Sequence, residues 1–405
     1  MSAPVLVFGS DTNAFLGTVR SLGRAGLTVH SAGCGPAMPA ASSRYLAQDH
    51  EIPPYEGDGR AWAARIAELV ERYGFSLLVP TSDASLAQLA AHRAELGEHR
   101  VAAPSDSALA VLADKAATRE AAQRLGVPIA SGRVCSGEVS AEELVEEFGL
   151  PLIVKAPRSY SLGDESQKTA VALAESREEL ATALADREEV LVEGYLPGFC
   201  RGVSVLAKDG EVLQAFQHKR LRQEHATGPS SWRVSETLDP ALFEATRKLV
   251  AHACLTGVAM FEYRCSDDDD GFALLEVNPR FWGSMQLAAD AGADYPSLLH
   301  AMLVGNRIPD RRLDFPAGLQ KRSVWGEFDA LSQAFEDAGS GLARIAFVRR
   351  LSQFLAALAK RDGFDSYAMD DPAPFERERA QVLARFRTRV TGTEPIGGRM
   401  AGRDQ

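Results

Sequence analysis

Nowhere in the 405 residues do two cysteines lie close enough in sequence to form a redox or metal-binding pair. The five cysteines present, Cys34, Cys135, Cys200, Cys254 and Cys265, are odd in number and widely spaced, which argues against a disulfide framework or a zinc site. They read as free thiols in a reducing compartment. No apolar run approaches the roughly 20 residues needed to cross a bilayer. The opening Met-Ser-Ala-Pro-Val-Leu-Val-Phe-Gly lacks a basic region followed by a long apolar one, so no signal peptide is expected. Basic excess is missing as well: the formal net charge of −11 argues against a nucleic-acid-binding surface. The loop after the first strand lacks Gly-x-Gly-x-x-Gly, so a dinucleotide site is not indicated. No internal repeat is found. The expectation is a cytoplasmic protein with neither membrane nor nucleic-acid partners.

What is present begins with size. At 405 residues, 45% hydrophobic and 24% charged, the chain fits two or three globular domains. Val5-Leu-Val-Phe8, a helix from Ala14 to Ala25 and a strand from Leu27 to His30 open a doubly wound α/β domain. Leu77-Leu-Val79 repeats the layout, ahead of a helix from Ala84 to Arg93. Loops 9–13 and 80–83, with Ser10, Asp11, Ser82 and Asp83, then point to one crevice at the strand ends. Ser82 and Asp83 are equally readable as helix N-caps.

The chemistry is concentrated between residues 257 and 284. Two apolar runs flank a polar stretch ending in Asp270-Gly271, the pattern of a β-hairpin. Asp269 lies midway between Glu262 and Glu276, so a turn centred there sets the glutamates opposite each other on one face. Opposed carboxylates repel unless a cation lies between them. Asn278 and Arg280 follow Glu276 at strand spacing. Such an all-oxygen set, Glu262, Glu276 and Asn278, suits Mg²⁺, and Arg280 would serve phosphate oxygens. The aspartates 267–270 read as a solvated turn.

Two other stretches carry charge in apolar surroundings. Leu150-Pro-Leu-Ile-Val-Lys155 is a buried strand closing on a lysine, which is costly to bury unless it snorkels or meets an anion. Val212 to Phe216 leads into Gln217-His218-Lys219-Arg220, where alternation puts His218 and Arg220 on one face and Gln217 and Lys219 on the other. This basic cluster suggests anion binding; the alternative is a charged edge strand. Thr227-Gly-Pro-Ser-Ser-Trp-Arg233 reads as a small-residue loop, a candidate flap over a substrate. A linker follows Gly126-Val-Pro-Ile129, before a helix from Ala141 to Phe148. Beyond residue 305 the sequence offers helices, notably 341–360 and 372–387, and little chemistry.

Met-Phe-Glu262-Tyr and Leu-Glu276-Val-Asn278-Pro-Arg280 resemble the metal-binding end of the ATP-grasp superfamily, as in biotin carboxylase, carbamoyl-phosphate synthetase and carboxylate–amine ligases. The resemblance covers roughly residues 5–305. It implies an α/β pre-ATP-grasp domain (1–103), an ATP-grasp domain (104–305, with a lid at about 128–195 and a larger part at about 196–305) and a helical extension (306–405). Lys115, in Asp114-Lys115, and Lys155, in Val-Lys-Ala-Pro, match phosphate-binding lysines. Glu193, Tyr195 and Leu196 match the adenine hinge, and Leu275 a further ATP contact. The 158–168 flap, with Ser159 and Ser161 facing the phosphates, holds Gly163 alone where the family is glycine-rich, and the usual acidic ribose partner is replaced by Phe199-Cys-Arg-Gly202. Arg280, His218, Lys219 and Arg220 take the catalytic positions, and Gly283 and Ser284 flank the substrate. The activity implied joins a carboxylate to an amine through an acyl phosphate, with ATP and one or two Mg²⁺ or Mn²⁺ ions as cofactors. Bicarbonate activation and a non-catalytic ATP sensor are the alternatives. The acid, the amine and the oligomeric state stay open, a homodimer being one compatible assembly.

Overall fold

The computed structural model describes residues 3–9, 13–97, 100–137, 139–158, 171–185, 187–223, 230–267, 271–336, 342–360 and 363–391. The chain begins with β1 (Val5–Phe8), α1 (Asn13–Arg24), β2 (Val29–Ala32), β3 (Leu46–His50), α2 (Arg60–Tyr73), β4 (Leu77–Pro80), α3 (Asp83–Ala91) and α4 (Arg93–Leu96). The four strands form a parallel sheet in the order β3-β2-β1-β4. Continuous apolarity in β1 reflects burial on both faces. Val5 and Val7 join Phe15, Leu16 and Val19 of α1, while Leu6 and Phe8 join Trp62, Ile66 and Leu69 of α2. Strand β3, Leu-Ala-Gln-Asp-His, is a half-exposed edge with no apolar periodicity to announce it.

Next come α5 (Asp106–Leu112), α6 (Lys115–Arg124), β5 (Gly132–Ser136), α7 (Ala141–Phe148), β6 (Leu152–Lys155), β7 (Ala172–Ala174), α8 (Arg177–Leu184) and β8 (Glu189–Gly194). The strands make an antiparallel sheet, β5-β8-β6-β7, with Leu144 and Leu180 of the two helices buried among Leu152, Val154, Val190 and Val192. Part of the stretch expected to be a linker is thus a strand, β5, paired with β8 along its length.

The third sheet is the largest. It comprises β9 (Phe199–Lys208), β10 (Glu211–Gln223), β11 (Ser230–Glu236), β12 (Gly257–Cys265), β13 (Phe272–Asn278) and β14 (Gln320–Arg322), with α9 (Pro240–His252), α10 (Met285–Asp290) and α11 (Tyr295–Leu303) between them. The order is β13-β12-β9-β10-β11-β14. One face lies on α9, through Val203, Val205, Leu242 and Leu249. Leu206, Phe216 and Met260 instead share a core with α1, α10 and α11, so the N-terminal layer and this sheet are joined by apolar burial.

Two expectations are corrected here. Residues 230–233 are strand rather than loop, and 227–229 lie outside the described residues. In β11 the buried side chains include Ser231 and Ser235, satisfied by Glu327 and the Pro316 carbonyl, so the period-2 signal carries no apolar signature. The region after 305 holds the expected helices, α12 (Val324–Glu336), α13 (Leu342–Lys360) and α14 (Ala373–Thr391), but also supplies β14 to the sheet. Among the described residues no helix is long and apolar enough to cross a membrane.

Candidate active site

A cavity of about 600 Å³ lies between the three sheets and the C-terminal helices. One wall is a row across the large sheet, in which Glu276 pairs with Glu262, Glu262 with Gly202, and Gly202 with His218. The opposition of the glutamates depends on a bulge. From Cys265↔Phe272 to Tyr263↔Leu274 the hairpin register is regular, but the next pair is Glu262↔Glu276, leaving Leu275 as the extra residue. Without it Glu262 would face Leu275. A bulge beside a functional site that re-aims a side chain is a common device. Asn278 Nδ2 donates to Glu276 Oε1 at 3.3 Å, and Arg220 makes an ion pair with Glu262. Burial pushes the Glu262 carboxyl up, and the charge of Arg220 opposes it. Two carboxylates and an amide oxygen on adjoining strands fit a hard divalent cation. No cluster of three or more His, Cys, Asp or Glu side chains suited to a metal occurs among the described residues.

Lys155, which also lines the cavity, closes β6 within a buried charge network. Its ammonium makes an ion pair with Glu193 and donates to the carbonyl of the bulged Leu275 at 3.2 Å. Glu193 also accepts from Arg119 of α6, whose Nη2 reaches the carbonyls of Ala130 and Gly132 at 2.9 and 3.0 Å. The anion meeting Lys155 here is therefore Glu193, and Arg119 is a site residue that sequence reading missed. Nothing local marks Arg119, which looks like an ordinary helix arginine. Lys115 opens α6 directly after the Asp114 cap. Burial lowers its pKa, against the raising pull of Glu276. Tyr195 and Leu196 line the cavity, but the Tyr195 N–H donates to the Pro151 carbonyl at 3.0 Å and is taken from any base pairing.

His218 and Arg220 line the cavity as the alternation requires. His218 is fully enclosed; burial, with Arg220 and Arg233 adding to it, drops its pKa to about 3 and keeps the ring neutral. Its Nε2 lies 3.4 Å from Ser284 Oγ. Gly202 is required opposite, because a Cβ there would collide with the imidazole. Lys219 falls on the other face with its ammonium 3.5 Å above the Phe199 ring. The catalytic place expected for Lys219 is corrected accordingly: it does not reach the cavity wall.

Arg280 is bound to Asp83 by Nε–Oδ1 and Nη2–Oδ2 contacts of 2.6 and 2.7 Å, and it donates to Asn278 Oδ1 at 2.9 Å. Ser82, not Asp83, caps α3, in a capping box with Ser85. Gly283 and Ser284 line the cavity, the Gly283 carbonyl accepting from Arg233 Nη1 at 3.3 Å. Ser10, Asp11, Ser159 and Ser161 lie outside the described residues.

A sequence profile of the family described as ATP-grasp in the biosynthetic pathway with Ter operon matches residues 186–322, from the end of the lid sheet to β14. The D-alanine–D-alanine ligase of Gluconobacter oxydans is 30% identical over 219 residues, 48% of this chain and 68% of that protein. The chain belongs to the ATP-grasp superfamily. Carbamoyl phosphate synthase large chain of Rubrobacter xylanophilus is 25% identical over 250 residues, 56% of this chain but 23% of that protein, so the ATP-grasp chain spans about a quarter of this relative's length. The fold matches the biotin carboxylase domain of 2-oxoglutarate carboxylase from Hydrogenobacter thermophilus, a structure holding MgADP and bicarbonate. That match has a TM-score of 0.62 at 16% identity, over 78% of this chain and 72% of that one.

Unlike the ATP-grasp motifs, the cavity's remaining wall carries no sequence signature. Ser323, Trp325, Gly326, Ser366 and Glu378 all line it. The C-terminal region is locked there by buried ion pairs: Arg233 with Asp365, and Arg20 Nε with Asp371 at 2.9 Å. These partners are separated by well over a hundred residues, beyond the reach of any local pattern.

Proposed function

We propose that this chain is an ATP- and Mg²⁺-dependent ligase that joins a carboxylate to an amine through an acyl phosphate. The observation that carries this reading is the bulge-set opposition of Glu262 and Glu276 in a cavity that Lys155, Tyr195, Leu196, Arg220, Arg280 and Ser284 also line. The D-alanine–D-alanine ligase relative and the MgADP-holding structural neighbour support it by name and content.

Lys155, kept in place by Glu193, and Lys115 hold the phosphates, and Leu196 borders the base. Glu262, Glu276 and Asn278 would hold Mg²⁺, which supplies charge neutralisation at the phosphoryl oxygens. A carboxylate oxygen attacks the γ-phosphorus and the bond to the ADP oxygen breaks, giving ADP and an acyl phosphate. The amine nitrogen then attacks the acyl carbon, losing a proton as the carbon–oxygen bond to phosphate breaks. Arg220 and Arg280 sit where negative charge accumulates on the phosphoryl group, in an arrangement that works by positioning and charge. The neutral His218 adds no charge to that end of the site.

The test is phosphate release over a matrix of acid–amine pairs, followed by mass spectrometry of the products. An amide formed with ADP in one-to-one ratio is expected. ADP release that needs bicarbonate alone, or no ADP release under any pair, would overturn the reading.

A further inference from the structure

Among the described residues, six side chains able to carry positive charge line the cavity: Lys155, His218, Arg220, Arg233, Arg264 and Arg280. Burial keeps His218 neutral. Four of the others make ion pairs, Lys155 with Glu193, Arg220 with Glu262, Arg233 with Asp365 and Arg280 with Asp83. Arg264 of β12 differs, for no carboxylate pairs with it among the described residues. Its Nη1 donates to the Gly198 carbonyl at 3.2 Å and to Cys200 Sγ at 3.4 Å, and its guanidinium carbon lies 5.5 Å from the centroid of the Tyr195 ring. We propose that Arg264 reads the sugar of the bound nucleotide, donating its unused N–H groups to the ribose hydroxyl oxygens. The proposal deepens the ATP-binding part of the ligase reading and rests on it.

Arginine carries five N–H donors, no acceptor, and a charge that it does not lose in proteins. The contacts of Arg264 go through Nη1, so Nε and Nη2 keep donors for which no described residue supplies an acceptor. Cys200, paired with Arg264 across β9 and β12, gives no counter-charge, because burial pushes its thiol up. Arg264 is half-buried, so those donors are not sealed in the core. Oxygen acceptors on a ligand complete such a group, and a hydrogen bond from a charged donor is stronger than one between neutral partners. Holding the Gly198 carbonyl alone would need neither Nε nor Nη2.

Placement selects the sugar. Side chains alternate along β12, so Arg264 shares a face with Glu262 and stands about 7 Å from it, two residues along the strand. That glutamate belongs to the row proposed to hold Mg²⁺ and the phosphates. The guanidinium also covers Tyr195 of the hinge, where Ile153, Leu196 and Leu275 give the cavity an apolar lining suited to a base. The sugar is the part of a nucleotide that joins base to phosphates. A donor in contact with the hinge ring and two positions from a metal carboxylate therefore meets the sugar.

The test is calorimetry of the full chain, with Mg²⁺, against ADP and 2′,3′-dideoxy-ADP. Wild-type protein is expected to bind ADP at least fivefold more tightly than the dideoxy analogue. Arg264→Met keeps most of the side-chain stem and should bring the two affinities within twofold of each other. Arg264→Lys keeps a charged donor and should retain a preference of threefold or more. A wild type without preference overturns the proposal. So does an equal fall for both nucleotides in Arg264→Met with their ratio unchanged, which would assign Arg264 to the α-phosphate or to packing. Wild-type protein that binds neither nucleotide would overturn the ATP reading itself, and this proposal with it.

Discussion

Arg280 grips Asp83 through two parallel hydrogen bonds, fastening the chain just after strand β13 to the first turn of α3 across 197 residues of sequence. The sequence puts Arg280 on phosphate oxygens and Asp83 in the strand-end crevice or at a helix N-cap, with no sign that the two meet. Their pairing means that the N-terminal layer sets the orientation of a guanidinium that lines the cavity.

Asp83→Asn should therefore act on chemistry and stability together. We expect a loss of about 1–2 kcal/mol in urea unfolding, in the range for a partly exposed charge-assisted contact. A fall in kcat should accompany it, with KM for ATP within about twofold. Ser82→Ala removes the actual cap and should cost about 1 kcal/mol without a kinetic change. Identical kinetics in Asp83→Asn and wild type would reduce the pair to a structural tie.

Glu276→Gln keeps the shape of the side chain and removes one of the opposed charges. Turnover should become undetectable at Mg²⁺ concentrations that saturate the wild type, with an unchanged melting temperature. Activity near normal with the same Mg²⁺ dependence would remove the metal from this position.

The Lys155–Glu193–Arg119 network yields an asymmetric pair of outcomes. Lys155→Ala should weaken binding of a non-hydrolysable ATP analogue by about 1.5–3 kcal/mol, the scale of a hydrogen bond to a charged group. Fold stability should suffer less, because Glu193 keeps Arg119. Glu193→Ala leaves two buried cations without their carboxylate and should cost about 3–5 kcal/mol of stability. Calorimetry for the first and urea unfolding for the second check both; similar stability losses in the two variants would show that the network is not centred on Glu193.

Acid sensitivity should arise in the N-terminal sheet. His30 Nδ1 and His50 Nε2 lie 2.9 Å apart among Tyr73 and Phe75. Burial lowers both pKa values; His50 adds to the effect at His30, and at His50 Arg65 and Arg72 add to it while Asp49 pulls the other way. A base held neutral by folding gives stability that is complete above its unfolded pKa of about 6.5 and is lost as pH falls below it. The urea midpoint should thus drop between pH 7.5 and 5.5, and His50→Gln should flatten that slope in part, since the buried His218 and the half-buried His300 titrate in the same sense. A slope unchanged in the variant would place the acid sensitivity elsewhere.

Much of this architecture was legible because period and charge coincided. The continuous apolar run of β1, the lysine ending β6 and the Glu-x-Asn-Pro-Arg run each announce an element, and the last two also place charged side chains on the cavity wall. A turn centred on Asp269 would set Glu262 opposite Glu276, but the regular register from Cys265↔Phe272 to Tyr263↔Leu274 is a different one; the facing comes from the bulge at Leu275, which leaves no mark on the sequence. Strand β11 was misread because its buried residues include serines, satisfied by distant partners. The C-terminal wall was invisible for the same reason: Asp365, Asp371 and Glu378 sit among surface-like charged residues, and only tertiary contact distinguishes them. Lys219, one position out of phase with His218 and Arg220, shows how far a basic cluster is resolved by alternation alone.

A substrate carboxylate activated as an acyl phosphate gives one of its own oxygens to phosphorus. Once the acid–amine screen supplies a productive pair, the direct measurement is turnover of the acid labelled with ¹⁸O in its carboxylate, with mass analysis of the released phosphate. One ¹⁸O atom per phosphate is predicted, because the attacking carboxylate oxygen leaves with phosphorus. Unlabelled phosphate accompanying labelled product would contradict the acyl-phosphate route.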